Sequence, residues 1–136
     1  MPELLYHHDS KVVDFVRQIL ADDIDDFGEC RAIGVTHNGK IIAGVVYNHF
    51  YGRDIQASIA STTRKWANKA VLKAIFQYPY TQLACSRITA QTRGRNVQAQ
   101  IFLRKLGFRQ EGVMRQWYAD DDAILFGQIK SECPWI

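Results

Sequence analysis

The sequence lacks most of the features that mark membrane, secreted and metal-stabilised proteins. No apolar run in its 136 residues approaches the length needed to cross a bilayer. The start of the chain has neither the basic segment nor the apolar core of a secretion signal. Its three cysteines, Cys30, Cys85 and Cys133, are widely spaced without a C-x-x-C pair, which favours free thiols over a disulfide framework or a zinc site. We therefore expect a cytoplasmic protein without a membrane partner and without a metal.

Strong net charge is also missing. A net charge of +3 is low for a protein that binds a polyanion, so nucleic acid is not the expected partner. One acidic cluster stands out, and it comprises Asp22, Asp23, Asp25, Asp26 and Glu29. Its spacing does not match a calcium-binding loop. The cluster fits either a plain acidic surface loop or a lid whose field attracts a cationic amine.

What the chain does have is the composition of an ordered globular protein, with 47% hydrophobic and 12% aromatic residues. Its length suits one domain covering residues 1–136. The hydrophobic periodicity predicts a helix over 10–20, strands over 31–36, 40–50 and 55–61, a helix from Thr62 or Thr63 to about 78, a strand over 86–92, a helix over 96–106, and strands over 108–118 and 123–130. This order predicts an α/β (α+β) fold with a mixed, mainly antiparallel sheet flanked by helices and splayed between the third and fourth predicted strands.

Local signals support these boundaries. Asn38-Gly39 between two β-rich runs predicts a hairpin, Gly107 ends the third helix, and Gly112 indicates a bulge in the following strand. In the third helix, the side chains expected to face inward are Val97, Ile101, Phe102 and Leu106. An exposed final strand would leave pairing across a homodimer open.

Two segments carry a resemblance to a known family. Residues 78–88 are similar to the pattern Y-x-F…L-G…R-I, and residues 96–115 contain an Asn, then Leu106-Gly107-Phe108 and Glu111-Gly112. Both segments resemble the GCN5-related N-acetyltransferases (GNAT), with closest similarity to the RimJ/RimL-like branch and small phage-borne relatives. The resemblance implies a GNAT fold and acetyl-CoA as cosubstrate, with no metal.

The resemblance also implies a cofactor site. Backbone groups of Ile59, Ala60 and Ser61 would pair with the pantetheine arm, and Asn96 would contact that arm or act as a helix N-cap. The pyrophosphate would lie at the start of the second helix, against Thr63, Arg64, Lys65, Trp66, Ala67 and Asn68. Trp66 and Asn68 occupy the glycine positions of the family's R/Q-x-x-G-x-G/A loop. Trp66 would therefore either fill the pyrophosphate space or stack beside the nucleotide.

The two basic residues of this loop, Arg64 and Lys65, lie in the first turn of the predicted helix. The helix macrodipole disfavours cations there, and an anion bound between them and the amides would explain their position.

The resemblance leaves the catalytic groups open. Leu103 occupies the position of the tyrosine that protonates the leaving thiolate in many family members, so water, Tyr118 or direct thiolate departure would serve. Asp54 and His49 flank the turn before the third predicted strand and are candidate proton acceptors.

The predicted reaction is transfer of an acetyl group to a primary amine, on a small molecule or a protein N-terminus, by direct attack in a ternary complex. The backbone amide near Ile59 would polarise the thioester carbonyl. The alternatives are a catalytically degenerate GNAT-like module that binds CoA or nucleic acid without turnover, and an acyltransferase that uses another acyl-CoA.

Overall fold

The computed structural model describes residues 1–20 and 27–136. Four acidic residues of the cluster, Asp22, Asp23, Asp25 and Asp26, lie outside the described residues. In chain order the elements are β1 (Glu3–Leu5), α1 (Asp9–Leu20), β2 (Cys30–His37), β3 (Lys40–Asn48), β4 (Asp54–Ser61), a 3₁₀ turn (Arg64–Trp66), α2 (Lys69–Gln77), a π-helical turn (Tyr78–Gln82), β5 (Arg87–Arg93), α3 (Val97–Lys105), β6 (Arg109–Tyr118), β7 (Asp121–Ile129) and a second 3₁₀ turn (Lys130–Glu132).

The described strands form one seven-stranded sheet in the order β1-β2-β3-β4-β5-β7-β6. Neighbouring strands are antiparallel except β4 and β5, which are parallel. The parallel pairing covers three residue pairs and ends at Gln56 and Thr89. The predicted mixed, mainly antiparallel sheet and its splay point are therefore both confirmed.

Helices pack on both faces of this sheet. On one face, Val12 and Val16 of α1 are fully buried with Ala32, Val46 and other residues of the first strands. The opposite face carries the larger core, to which Trp66, Tyr47, Phe76, Tyr80 and Phe126 contribute the largest side chains. On the first face, α1 contacts β2, β3 and β4. The polar side chains that β5 directs to this face, from Arg87, Thr89 and Gln91, therefore lie beside α1 and are not covered by it.

Local turn chemistry is confirmed where the sequence signals it most strongly. Asn38 and Gly39 have φ of 53° and 75°, the left-handed conformation that a tight hairpin between β2 and β3 requires. The register of β6 against β7 shifts between Gln110 and Gly112, which confirms the predicted bulge.

The predicted start of the second helix is wrong. Thr63 caps only the 3₁₀ turn, accepting a hydrogen bond from the Lys65 amide at 3.3 Å. The α-helix begins at Lys69, because Asn68 accepts a hydrogen bond from the Val71 amide at 2.9 Å and acts as N-cap. Sequence reasoning also missed β1, whose three residues are too few to show a periodic pattern.

The predicted inner face of the third helix is partly wrong. Val97 and Ile101 are 57% and 47% exposed, whereas Leu103 and Leu106 are buried. The last turn of the helix packs into the core through Leu103, which was not among the side chains expected to face inward. The two exposed side chains therefore face the surface or the cavity described below.

The final strand does not lie at an edge of the sheet, so it does not offer the edge that pairing across a homodimer would use. β7 lies between β5 and β6, and its pairing with β5 runs from Arg87↔Ile129 to Arg93↔Ala123. The edge of the sheet on this side is β6, which pairs only with β7. A β-hairpin can fold back on either side of its first strand, and local sequence does not determine which.

The buried phenol of Tyr47 and the buried thiol of Cys85 predict that the folded protein loses stability at alkaline pH. Burial raises the pKa of Tyr47 well above its ordinary value of 10.0, and it raises the pKa of Cys85 above 9.0. The folded chain therefore holds these protons more tightly than the unfolded chain does. The corresponding stability is fully present below the ordinary pKa values and is lost as pH rises through them. We expect a nearly constant melting temperature from about pH 7 to pH 8.5 and a fall above about pH 9.

Thermal unfolding followed by circular dichroism across this pH range would check the expectation. Tyr47→Phe is the matched variant, because it removes the phenol that donates to Ile75 O at 2.7 Å while keeping the buried ring. Its melting temperature should fall less steeply above about pH 10 than that of the parent chain. A parent profile that stays level throughout would contradict the argument.

Candidate functional site

The separation of β4 from β5 opens a large cavity in the sheet. Beyond Gln56 and Thr89 the two strands are no longer paired, and a cavity of about 1290 Å³ lies between them. Its lining comes from the second halves of β4 and β5, the 3₁₀ turn, one side of α3 and the end of β6. The sheet therefore contains a cleft wide enough for an extended ligand.

The open edge of β4 offers backbone groups to this cavity. The Thr62 amide donates to Ile42 O at 2.9 Å, which means that it points toward β3. Backbone directions alternate along a strand, so Ala60 also faces β3, whereas Ile59 and Ser61 face the gap. The strand pairing on the gap side ends at Gln56. The amides of Ile59 and Ser61 are thus directed into the cavity, and the backbone of Ala60 is used within the sheet.

In the loop between β4 and α2, some of the residues predicted to bind the cofactor line the cavity and others do not. Thr63, Arg64, Trp66 and Ala67 line the cavity, while Lys65 is exposed and is not among the lining residues. Trp66 is only 1% exposed, and its ring centroid lies 5.8 Å from that of Phe102. Its ring therefore belongs to the core, with an edge at the cavity wall.

Arg64 and Lys65 do not lie at the N-terminus of α2, so the macrodipole of that helix does not explain their position. Both residues lie in a three-residue 3₁₀ turn rather than in the first turn of α2. The first turn of α2 begins after Asn68, which satisfies the Val71 amide and leaves the amides of Lys69 and Ala70 at the start of the helix.

Asn96 lies at the opposite wall of the cavity. It is exposed, lines the cavity, and caps α3 by accepting a hydrogen bond from the Ala99 amide at 3.1 Å. The N-cap role predicted for it is therefore confirmed. The same position leaves the rest of its side chain available to a ligand in the gap.

The loop before Asn96 is attached to the turn between β6 and β7. The Arg95 amide donates to Asp121 Oδ2 at 2.9 Å, and the Arg95 guanidinium is 2.6 Å from Asp120. Arg93 also bonds Asp120, and this contact lowers the pKa of the Asp120 carboxyl. What the sequence presents as a simple acidic turn thus fixes the start of α3 and, with it, one wall of the cavity.

Tyr118 lies at this wall too. It is buried at the end of β6, lines the cavity, and packs beneath the guanidinium of Arg93 at 4.4 Å from the ring centroid. The adjacent bulge has Gln116 at a φ of 54°, with its amide donating to Asp122 at 2.8 Å. The bulge leaves Trp117 57% exposed beside the same cavity.

The two candidate proton acceptors are placed differently. His49 is exposed and lines the cavity, with a φ of 50° at the end of β3. Asp54 is not among the cavity-lining residues. It pairs with Arg87 (Nε to Oδ1, 3.1 Å) and accepts a hydrogen bond from the Thr89 hydroxyl at 2.7 Å. Asp54 is therefore connected to the cavity through Thr89.

Sequence reasoning missed Thr89 as a functional candidate. The signal was present, because Arg87, Thr89 and Gln91 alternate with apolar residues and so share one face of β5. What the alternation could not show is that this face adjoins Asp54 and Glu111.

The described part of the chain contains neither a cluster suited to a metal ion nor a helix that could span a membrane. Residues 1–20 and 27–136 hold no group of three or more His, Cys, Asp or Glu side chains suited to a metal ion. Over the same residues, no helix is long and apolar enough to cross a membrane.

Comparison with solved structures defines the class of fold. A chimera of the spermidine N-acetyltransferase SpeG from Vibrio cholerae and hSSAT superposes with a TM-score of 0.76 at 15% identity, covering 96% of each chain. The ribosomal-protein-S18-alanine N-acetyltransferase from Escherichia coli gives 0.66 at 15% identity, over 95% of this chain and 94% of that one. An acetyltransferase of the GNAT family from Bacillus anthracis gives 0.61 at 16% identity, over 74% of this chain and 67% of that one.

The chain therefore has the GNAT acyl-CoA N-acyltransferase fold, as its sequence predicts. No family model and no curated protein matches the sequence. The likeness thus rests on three-dimensional structure, at identities that show the fold alone.

Proposed function

We propose that this protein is an acetyl-CoA-dependent N-acetyltransferase that moves an acetyl group to a primary amine. The observation that carries the proposal is the gap between β4 and β5, into which the backbone amides of Ile59 and Ser61 point. The GNAT fold and the N-acetyltransferase names of the structural neighbours support it. We further propose that residues 1–136 act as one domain.

The residues around the gap fit acetyl-CoA. An extended pantetheine arm carries amides that can pair with the open edge of β4, as an added strand does. The amides at the start of α2 and the cation of Arg64 suit the pyrophosphate. The core position of Trp66 means that its ring need not be displaced to admit the phosphates. On the other wall, Asn96 stays a candidate contact for the arm.

The chemistry would be a direct attack. Bound acetyl-CoA would supply the acetyl group as a thioester, and the amide of Ile59 would polarise its carbonyl oxygen. His49 and Asp54 are the candidate acceptors for the proton of the amine. Tyr118, in the cavity wall, is the candidate donor to the departing thiolate.

The acceptor class we propose is a primary amine on a small molecule or on a protein N-terminus. The named neighbours act on spermidine and on an alanine of a ribosomal protein, which makes spermidine and an alanine-terminated peptide the first two acceptors to test.

One observation favours a second candidate, a module that binds CoA without turnover. Leu103, which stands where many GNAT members have the acid tyrosine, is 6% exposed and belongs to the core. Its side chain offers no proton to a thiolate. If Tyr118 and water do not replace that function, the cleft would hold CoA as a structural ligand.

Calorimetric titration with acetyl-CoA, followed by thiol-release assays with the two amines, tests the proposal. We expect binding and thermal stabilisation by acetyl-CoA, and release of free CoA when an accepted amine is added. Binding without turnover would support the second candidate. If acetyl-CoA produces no heat of binding and no thermal stabilisation, CoA binding is refuted altogether. A steeply salt-dependent affinity for DNA or RNA would instead indicate a nucleic-acid-binding protein.

Two neighbouring cations allow a matched test of the phosphate position. Arg64 lines the cavity and Lys65 does not, although both are exposed in the same 3₁₀ turn. We expect Arg64→Ala to raise the Kd for acetyl-CoA about two- to fivefold, as loss of one exposed ionic contact would. Lys65→Ala should leave the Kd within experimental error. Equal effects from the two variants, measured by calorimetry, would mean that the net charge of the turn matters and not the position of Arg64.

A further inference from the structure

A set of polar side chains crosses the sheet at the closed end of the gap between β4 and β5. Asn48 of β3 is the register partner of Gln56 of β4, which in turn is the register partner of Thr89 of β5. Register partners direct their side chains to the same face, here the face of α1, because Ala60 lies four residues after Gln56 and packs in the cluster with α1. Gln91 follows Thr89 by two residues and shares its face. All four side chains line the cavity, and we call Asn48, Gln56, Thr89 and Gln91 the polar floor.

Two members of the polar floor are bonded within the protein. The Thr89 hydroxyl donates to Asp54 Oδ1 at 2.7 Å and accepts from Nε and Nη2 of Arg87 at 3.3 and 3.0 Å, which uses its whole hydrogen-bonding capacity. Asn48 donates from Nδ2 to Phe27 O at 3.0 Å. Its Oδ1 is buried and has no hydrogen-bond partner among the described residues. Thr89 is therefore part of the framework, and Asn48 is held in place by a single bond.

The other two members, Gln56 and Gln91, are the groups that a ligand can use. Both are half-buried, and neither side-chain amide makes a hydrogen bond within the part of the chain that the structure describes. Each amide has two N–H donors and one carbonyl acceptor. Polar groups that are partly withdrawn from water usually have a partner, so two unpaired amides on one cavity wall indicate a ligand with both donors and acceptors.

The charges of the cavity help to identify the class of that ligand. Among its described lining residues none is Asp or Glu, whereas Arg64, Arg93 and Lys105 are cations. A polyamine presents only N–H donors, most of them charged at neutral pH, so it would leave the N–H groups of the glutamines unpaired and would meet cations. A peptide group presents one N–H and one C=O, which matches a side-chain amide on both counts.

The position of the two glutamines suits the acceptor better than the cofactor. Gln56 precedes Ile59 by three residues, about 10 Å along β4, and the backbone edge at Ile59 and Ser61 already offers partners for the pantetheine amides. Gln91 lies two residues beyond the level of Gln56, about 6.6 Å along the strand direction. An extended peptide covers this distance in two residues.

We propose, on the basis of the acetyltransferase function above, that the acceptor is the N-terminus of a peptide and that Gln56 and Gln91 bind its first peptide groups. Each glutamine donates to a C=O of the acceptor and accepts from an N–H. Both are specificity-determining residues, which hold the acceptor while its terminal amine attacks the thioester and take no part in proton transfer.

Substitution of each glutamine by glutamate tests the proposal, because glutamate keeps the shape but replaces the NH₂ donor with a charged oxygen. In the parent chain we expect a higher kcat/KM for the alanine-terminated peptide than for spermidine. At saturating acetyl-CoA, Gln56→Glu and Gln91→Glu should each raise the KM for the peptide about five- to tenfold, as loss of a neutral hydrogen bond would, with kcat within about twofold. The KM for spermidine should fall in the same variants, because a carboxylate attracts its ammonium groups.

Two kinds of control separate peptide binding from other roles. Gln56→Met and Gln91→Met remove the amides without adding charge, so they should weaken the peptide and bring no gain for spermidine. Gln98→Glu adds the same charge at an exposed position of the cavity on α3 and should leave the KM for the peptide unchanged. The Kd for acetyl-CoA, measured by calorimetry, should stay unchanged in the variants at Gln56 and Gln91.

Four results would count against the proposal. A raised Kd for acetyl-CoA would mean that the glutamines hold the pantetheine arm. A parent chain that prefers spermidine, an unchanged KM for the peptide in all four variants at Gln56 and Gln91, or an equal effect from Gln98→Glu would also overturn peptide recognition. Each of these leaves the acetyltransferase proposal standing, whereas a parent chain that binds acetyl-CoA but transfers to neither amine would overturn both.

Discussion

Replacing Trp66 with alanine is expected to lower the free energy of unfolding by about 3–5 kcal/mol, the usual cost of removing a large aromatic side chain from a core. Among the described residues, Trp66 has the largest fully buried side chain, and it is 1% exposed. It packs against Phe102 of α3 and lies within the cluster that includes residues of α2 and β5. Its removal would leave a cavity that joins these elements and adjoins the gap between β4 and β5. Chemical denaturation followed by circular dichroism would measure the loss.

Three variants give this prediction its controls. Trp66→Phe keeps most of the ring volume and should lose markedly less stability than Trp66→Ala. Lys65→Ala, in the same turn but exposed, should change the free energy of unfolding by less than about 0.5 kcal/mol. Trp66→Gly introduces the glycine that the GNAT phosphate-loop pattern has at this position and should be at least as destabilising as alanine. A glycine variant that is as stable as the parent chain and binds acetyl-CoA more tightly would show that Trp66 obstructs the pyrophosphate site instead of supporting it.

The second large effect is expected at Gly107, where alanine should lower the free energy of unfolding by about 2–4 kcal/mol, from backbone strain and overpacking together. Gly107 ends α3 with a φ of 102°. Its amide donates to Arg104 O and the Phe108 amide donates to Leu103 O, both at 3.0 Å, which is the hydrogen-bond pattern of a Schellman motif. A side chain here would be strained by the backbone conformation and would also meet its surroundings.

Those surroundings are a buried polar network. A Cβ at Gly107 would lie 2.8 Å from Gln128 Nε2 and 2.9 Å from Pro134. Gln128 is fully buried, with Nε2 donating to Leu106 O at 2.9 Å and Oε1 accepting from Tyr80 at 2.9 Å. Displacing Nε2 would leave a buried donor without its partner, which adds to the loss.

Gly52 provides the matched control for Gly107. It also has a positive φ, of 82°, but an added Cβ would meet nothing within 4 Å. Gly52→Ala should therefore cost only the backbone term, about 1–2 kcal/mol. Urea titration of the two variants measures the difference, which isolates the contribution of the contacts with Gln128 and Pro134. Equal losses at the two glycines would mean that the network does not constrain Gly107.

Most of the element order follows from short-range signals in the sequence. The turn at Asn38-Gly39 and the cap at Asn96 depend on residues at most three positions apart, so their spacing alone predicts them. The segment with Leu103, Gly107 and Phe108 is similar: its hydrogen bonds close within five residues. The start of α2 failed as a prediction because Thr62, Thr63 and Asn68 are all suitable caps, and in the structure Asn68 is the residue that caps the α-helix.

The sequence predicts only part of the candidate site. Ile59 on the edge of β4 and Asn96 at the start of α3 both line the cavity. The role of each wall, however, depends on partners in other elements, such as the acidic turn at Asp120 and Asp121 that holds Arg95. From the sequence, that turn shows only a change of chain direction.

Apart from β1 and the start of α2, the sequence by itself determined the helices, the strands and the hairpin, together with the helix ends at Asn96 and Gly107, because these depend on contacts within a turn or two of the chain. Only the tertiary structure decided that Trp66 belongs to the core, that β7 lies inside the sheet, and that Asp54, Thr89 and Glu111 meet at Arg87. Asp54 and Thr89 are 35 positions apart, and Arg87 and Glu111 are 24 apart. Strand order and register bring them together, and these are set by how the whole sheet packs, which no local pattern records.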